Sequence, residues 1–269
     1  VAAALAEDLG AGDLCAPLLE GRPDCAATLT VREDAVLCGR PWFEECFRQL
    51  APEGEVRIAW GFEDGDDLAA GDRVCEISGA PAPMLAGERT AINFLQTLSC
   101  TAAASRAFAE AAPGAALDTR KTLPGLRHAQ KYAVRVGGAR NHREGLFDAP
   151  LLKENHLAAG GGISKMLGAA KDAGMLEDLQ IEVRSIAELA LASQCGARRV
   201  LLDNFSPAEV ATATAGFGDI ELEVSGNVTL DNIADYARAG AGRISIGAMT
   251  KNVVAIDFSL VVREGGGRG

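Results

Sequence analysis

The sequence predicts an α/β protein whose C-terminal part is a parallel barrel or near-barrel, preceded by a smaller α/β part. Three observations carry this. Before Gly114, β-like runs are punctuated by turns; after it, short apolar runs alternate with helical stretches; and each later run stops at charged, hydroxyl or glycine residues. A doubly wound open sheet is the architectural alternative.

In the first part, ATLTVRE, AVLCG, EVRIAWGF and DRVCEIS read as strands, with Glu63-Asp64-Gly65-Asp66 and Ala70-Gly71-Asp72 as turns. Residues 41–50 have the apolar spacing of one amphipathic helix. The alanine-rich, proline-free run 84–111 predicts one or two helices. Pro113-Gly114 closes it, which places the domain transition there and divides the chain into 1–113 and 114–269. In the second part the expected strands are AALDT, APLLKE, LQIEV, RRVLLD, IELEVSG and GRISIGA, with a seventh around Gly138 to Asn141. Helices are expected at 163–173, 186–194, 207–215 and 230–239. The strands read as continuously hydrophobic, which predicts burial on both faces and, with crossover helices, a parallel sheet. The tail REGGGRG, from Arg263, is expected to be a flexible end.

At 269 residues and 48% hydrophobic content, the chain can bury one barrel-sized core or two smaller ones. Its seven cysteines are odd in number, with no C-x-x-C pair and no metal-ligand spacing, so reduced thiols in a cytoplasmic protein are expected. No apolar run approaches the roughly 18 residues of a membrane span, and no charged-then-apolar signal segment is visible. The chain begins at Val1 rather than methionine, which leaves open what precedes it naturally.

Charge is distributed unevenly. The formal net charge is −11, yet residues 119–156 hold eight Lys/Arg, three Asp/Glu and all three histidines, a local charge of +5 within a remainder of −16. A cationic island in an acidic chain of pI 4.8 suits a small, highly anionic ligand, and argues against nucleic acid or an anionic membrane as partner.

The strand ends supply the chemistry. They carry Arg120 and Lys121, then Lys153, Glu182, Asp203, Ser225-Gly226-Asn227, and Ser245 with Gly247. In a parallel barrel all of these converge on one mouth, although any one alone reads equally as a solvated loop residue. EVSGN, followed by Thr229 as the expected helix cap, and SIGA, followed by Met249-Thr250, bring glycine and free N–H groups to the last two strand ends. Phosphate is the expected ligand there; a plain tight turn is the alternative. Glu182 and Asp203 would suit Mg²⁺ bridged by substrate phosphates, or else structural pairing with Lys153 or Arg120. His128, His142 and His156 lack zinc-ligand spacing, and His128 reads as a helix-surface residue.

TRKTLPGLRHAQKYAVRVGGARNHREGLFDAPLLKENH, from Thr119 to His156, strongly resembles the quinolinate phosphoribosyltransferases, also called carboxylating nicotinate-nucleotide pyrophosphorylases. The likeness continues in ERTAINFLQTLS from Glu88, IEV from Ile181, LLDN from Leu201, EVSGN from Glu223 and ISIGAMT from Ile244. The resemblance implies an N-terminal α/β sandwich followed by an incomplete parallel α/β barrel, in a homodimer with shared active sites, a hexamer being the alternative assembly. It implies synthesis of nicotinate mononucleotide from quinolinate and phosphoribosyl pyrophosphate with Mg²⁺, a step of NAD biosynthesis. By matching positions, Arg120, His142, Arg143 and Lys153 would hold the quinolinate carboxylates, within a pocket that Thr119 and Thr122 also line. Lys121 would serve that pocket or the pyrophosphate, and Arg89 would reach the neighbouring subunit's site. Glu182 and Asp203 would face ribose and Mg²⁺; Ser225, Gly226, Asn227, Ser245, Ile246 and Gly247 would take the 5′-phosphate.

Some positions depart from the family pattern. Glu154 stands where Asp is usual, Arg184 where an acid is common, Asn227 where Gly is frequent, and Cys15 within a segment usually like G-D-I-T-S. Three rival readings are a molybdenum-transport-associated paralogue, a Schiff-base aldolase or lyase using Lys153, and a non-catalytic metabolite-binding protein. The full set of cations for a dicarboxylate, with phosphate and carboxylate positions retained, favours the transferase.

Overall fold

The computed structural model describes residues 1–263; the remainder of the expected flexible end lies outside them. The chain forms two compact units, Val1–Ala104 with the segment from Val253, and Ser105–Asn252.

The first unit holds α1 (Ala2–Leu9), β1 (Cys25–Val31), β2 (Ala35–Val36), α2 (Arg40–Leu50), β3 (Val56–Trp60), β4 (Asp67–Leu68) and β5 (Arg73–Gly79). Proline in its first turn starts α2, whose buried face carries Phe43, Cys46 and Phe47. The Phe43 ring lies 5.2 Å from those of Phe47 and Trp60. The seven cysteines are free thiols, and burial pushes Cys46 up to about 11 and Cys75 up to about 12. Of the two arrangements expected for the alanine-rich run, the single one forms: α3 (Pro81–Ala111) is one uninterrupted helix. No helix among the described residues is long and apolar enough to cross a membrane.

The second unit carries β6 (Ala116–Leu117), α4 (Arg127–Val136), β7 (Leu151–Leu152), α5 (Glu154–Gly160), α6 (Ile163–Asp172) and β8 (Gln180–Val183). It continues through α7 (Ile186–Gln194), β9 (Arg199–Asp203), α8 (Pro207–Gly216), β10 (Glu221–Ser225), α9 (Ile233–Arg238), β11 (Ile244–Ser245) and α10 (Ala248–Lys251). The sheet order is β6-β11-β10-β9-β8-β7, and every pairing is parallel. The seventh strand expected near Gly138 is a single parallel bridge from Arg140 to Leu117. No pairing among the described residues joins that segment to β7, so the barrel is incomplete. Ser185 and Ser206 cap α7 and α8 immediately after strands, each accepting from the third helical amide. The cap expected at Thr229 is displaced: α9 starts at Ile233, and the Thr229 amide donates to Asn232 Oδ1 at 2.8 Å.

The strands alternate instead of being apolar throughout. Ile181, Val183, Val200, Leu202, Val224, Ile244 and Ile246 pack outward with Leu167, Leu189, Val210 and Ile233 of the helices. Between them, Gln180, Glu182, Arg199, Asp203, Glu221, Glu223, Arg243 and Ser245 turn the other way, because successive strand side chains alternate faces. Both faces of β8 are buried, as expected, but the inner one is polar.

The chain's last strand, β12 (Phe258–Arg263), contains Arg263, which the sequence had placed in the flexible end, and it returns to the first unit. It pairs antiparallel with β1, giving the order β12-β1-β5-β3. The transition expected at 113/114 therefore moves: Phe108 and Ala112 pack in the barrel core, and residues 253–263 belong to the first unit.

Candidate active site

Two cavities open among the strand ends of the second unit. The larger, about 790 Å³, is lined by Lys121, Lys153, Glu154, Glu182, Arg184, Asp203, Asn204, Ser225–Thr229, Ser245–Ala248, Lys251 and Asn252. The smaller, about 320 Å³, is walled by Thr119, Arg120, Lys121, Arg127, His142, Arg143, Leu151, Lys153, Leu201, Glu223, Ser225 and Ser245. Lys121, Lys153, Ser225 and Ser245 belong to both. The groups expected at one mouth do meet there, because parallel strands aim their C-termini the same way.

The smaller cavity is dominated by cations. Arg143 is 9% exposed, and its guanidinium donates to the Ala149 carbonyl at 2.9 Å. Burial, and next the like charge of Arg120, push it below its ordinary value. An anion placed between them would relieve both effects. The two cationic loops share a buried tie: Lys131 Nζ binds Asp118 Oδ1 at 2.5 Å, with both side chains fully buried, and Asp118 Oδ1 also accepts the His142 amide at 2.8 Å. Arg127 donates to Thr122 Oγ1 and to the Arg120 and Glu144 carbonyls.

Lys153 ends β7, and its amide donates to His156 Nδ1 at 3.1 Å. Its ammonium is ion-paired with Glu182 across the shared boundary of the cavities. The structural pairing foreseen as an alternative for Glu182 is thus present. Burial raises the Glu182 carboxyl, assisted by a hydrogen bond shared with Glu154 and the charge of Asp203, while Lys153 opposes the rise. Among the described residues, no group of three or more His, Cys, Asp or Glu could cage a metal. Two carboxylates on neighbouring strands, Glu182 and Asp203, facing one open cavity would suit Mg²⁺ completed by substrate phosphate and water.

The turn after β10 is built from left-handed residues: Gly226 has φ 99 and Asn227 φ 51. A Cβ on Gly226 would meet Asn204 Oδ1 at 2.3 Å, so only glycine fits there. Asparagine tolerates this conformation, and Asn227 Nδ2 donates to Asn204 Oδ1 at 2.9 Å. Gly247 stands at the start of α10, beside Lys121.

Several expected site residues sit differently. Ile246 offers no donor: its side chain is in the core and its amide donates to the Leu117 carbonyl at 2.8 Å. The Ser245 hydroxyl donates to Glu223, so its proton is not free for phosphate. Both His142 ring nitrogens have protein partners, Nε2 bonding Glu223 and Gln180, and Nδ1 accepting the Arg143 amide. Thr122 lines neither cavity. Arg89 lies on α3, exposed, 4.0 Å from Glu88. His128, as expected, is on the surface of α4, whereas Lys131 on the same helix is buried. Sequence reading missed Asn204, Lys251 and the interior group of Glu223, Gln180 and Arg243. The signal for the interior group was the period-two spacing of polar residues leading up to each strand end.

Fold and site together define a parallel-barrel protein that gathers cations, phosphate-sized turns and paired carboxylates around one mouth. Residues 13–99 match the family described as quinolinate phosphoribosyl transferase, N-terminal domain, and residues 99–261 match its C-terminal domain. The human nicotinate-nucleotide pyrophosphorylase (carboxylating) is 38% identical, over 91% of this chain and 84% of its own. The probable Bacillus subtilis counterpart is 34% identical over 95% and 90%. The solved nicotinate-nucleotide pyrophosphorylase of Francisella tularensis is 41% identical with a TM-score of 0.89, covering 97% of this chain and 94% of that one. The chain belongs to the quinolinate phosphoribosyltransferase family, whose members are phosphoribosyltransferase enzymes.

Proposed function

We propose that this protein transfers the phosphoribosyl group of phosphoribosyl pyrophosphate to quinolinate and removes one carboxylate, as a step of NAD biosynthesis. The products are nicotinate mononucleotide, pyrophosphate and carbon dioxide. One observation carries the reading: a cation-walled cavity of about 320 Å³ joins a larger one of about 790 Å³, lined by the glycine turns and two carboxylates, along Lys121, Lys153, Ser225 and Ser245. A small dicarboxylate and a ribosyl diphosphate can therefore meet at a shared boundary. Family membership supports the same chemistry.

Arg120, Arg143 and Lys153 hold the two carboxylates, with guanidinium forks suited to bidentate contact. Thr119 shapes the loop, its hydroxyl accepting the Lys121 amide at 3.0 Å. Lys121 faces both cavities and serves the pyrophosphate as well. Ser225, Gly226 and Asn227 in the turn after β10, with Gly247 at the start of α10, take the 5′-phosphate. As pyrophosphate leaves, positive charge develops at ribose C1, and Glu182 and Asp203 stabilise it. The pyridine nitrogen then bonds to C1. Now cationic, it stabilises the ring carbanion as the adjacent carboxylate departs as carbon dioxide, and a proton from water then takes the vacated position on that carbon. Mg²⁺ held by Glu182 and Asp203 would supply neutralising charge to the leaving pyrophosphate.

Arg89 is read as completing the site of a second copy, so the working form is a homodimer. Unpaired thiols suit a reducing compartment, which supports the cytoplasm as its location. The Schiff-base reading needs a desolvated lysine, whereas the Lys153 side chain is 42% exposed and paired with Glu182. The test supplies quinolinate, phosphoribosyl pyrophosphate and Mg²⁺ and measures nicotinate mononucleotide and carbon dioxide in equal amounts. Equal use of nicotinate would overturn the two-carboxylate reading, and absence of product would favour the paralogue.

A further inference from the structure

Glu223 lies in β10 with its side chain in the barrel interior and fully buried, and no step above uses it. Oε1 accepts from His142 Nε2 at 3.1 Å and from the Ser245 hydroxyl. Oε2 accepts from Gln180 Nε2 at 3.2 Å and from Arg243 Nε and a terminal nitrogen at 3.1 and 3.0 Å. His142 and Ser245 line the dicarboxylate cavity; Gln180 and Arg243 line a second cavity of about 130 Å³, whose wall His142 and Arg143 share. Burial alone would raise this carboxyl, but the hydrogen bonds from His142 and Ser245 and the Arg243 charge lower it.

Its effect on the cavity passes through its partners. His142 Nδ1 accepts the Arg143 amide at 2.7 Å, which places the ring proton on Nε2, where Glu223 Oε1 at 3.1 Å and Gln180 Oε1 at 3.2 Å face it; Glu223 in turn holds Gln180 through Oε2. With its proton committed to Glu223, Ser245 presents only lone pairs to the cavity. One side of the cavity is then acceptor-lined and the other cationic, and a dicarboxylate is turned toward the cations. Without the Glu223 charge the His142 ring would keep only Gln180 as an Nε2 acceptor and the Ser245 proton would be free to turn into the cavity, so this polarity would be lost.

We propose that Glu223 is a positioning residue for the dicarboxylate cavity: it fixes His142 as the Nε2–H tautomer and commits the Ser245 proton, leaving Arg120 and Arg143 to hold the anion. The proposal rests on the quinolinate reading above. Its test begins without substrate. The chain has three histidines, so ring-nitrogen NMR assigns His142 through the signal missing in His142→Asn. The expected wild-type signature near neutral pH is a protonated Nε2 with an unprotonated Nδ1, and a ring protonated on Nδ1 overturns the proposal. Glu223→Gln should change that signature and raise the quinolinate Kd about tenfold or more, with less than about twofold effect on phosphoribosyl pyrophosphate. An unchanged signature, or equal weakening of both ligands, overturns it. Should that variant not fold, Glu223→Asp keeps the charge but withdraws it from His142, and is judged by the same two readouts. Wild-type protein that shows the signature yet binds no quinolinate would refute the functional reading instead.

Discussion

Arg143 and Lys131 illustrate two fates of a cation in this chain. Arg143 is held close to Arg120, whose repulsion outweighs the attraction of Asp148, so truncating it should damage the anion site selectively. Arg143→Ala is expected to weaken quinolinate binding by tenfold or more, about 1.5–3 kcal/mol for a charge-assisted contact, and to leave phosphoribosyl pyrophosphate binding nearly unchanged. Calorimetric titration of each ligand checks this, and equal losses would remove Arg143 from its role. Lys131 is instead neutralised internally by Asp118. Lys131→Met leaves that carboxyl, already raised by burial, without its partner, and should cost about 3 kcal/mol or more in urea unfolding. A loss below about 1 kcal/mol would mean that the pair contributes little. The sequence showed both residues as members of one positive island. Separating them required knowing which face of α4 is buried, and the cue for that, the run of Ala129, Ala133 and Val134, is short.

Among the elements, the strand–turn–helix joints were the most legible, because residues there are chosen by backbone need. The turn after β10 is the sharpest case. Gly226→Ala places a methyl group 2.3 Å from Asn204 Oδ1 at a φ of 99. The expected result is about 1–3 kcal/mol of lost stability and a raised KM for phosphoribosyl pyrophosphate, with the KM for quinolinate less affected. Steady-state kinetics with each substrate varied in turn measures the split. The strands themselves were read correctly in place but not in character. RRVLLD and IELEVSG look apolar because Leu201 interrupts the polar face of β9 between Arg199 and Asp203, and Leu222 and Val224 dominate the count, although Glu221, Glu223 and Ser225 keep a period of two. Short edge pieces such as β4 and β7 are fixed by their pairing partners and leave almost no periodic signal of their own.

For the whole molecule, the two-part organisation was visible as a change of pattern near Gly114, but the long-range closure of the first unit was not. FSLVVR is an apolar run with no local cue to a partner more than two hundred residues earlier. The proposed assembly is likewise not a property of one chain. If Arg89 completes a neighbour's site, mixing Arg89→Ala and Lys153→Ala protomers should restore part of the activity that each variant lacks alone. No recovery despite demonstrated subunit exchange would make each subunit self-sufficient. The pairing of β1 with β12 also orders events during synthesis. While the ribosome is still translating, Cys25–Val31 has emerged but its neighbour Phe258–Arg263 does not yet exist. Ser105–Asn252 is available complete before that strand appears, so the half encoded later can finish folding first. At roughly 5–20 residues per second, the nascent β1 waits on the order of ten seconds or more with one edge unpaired.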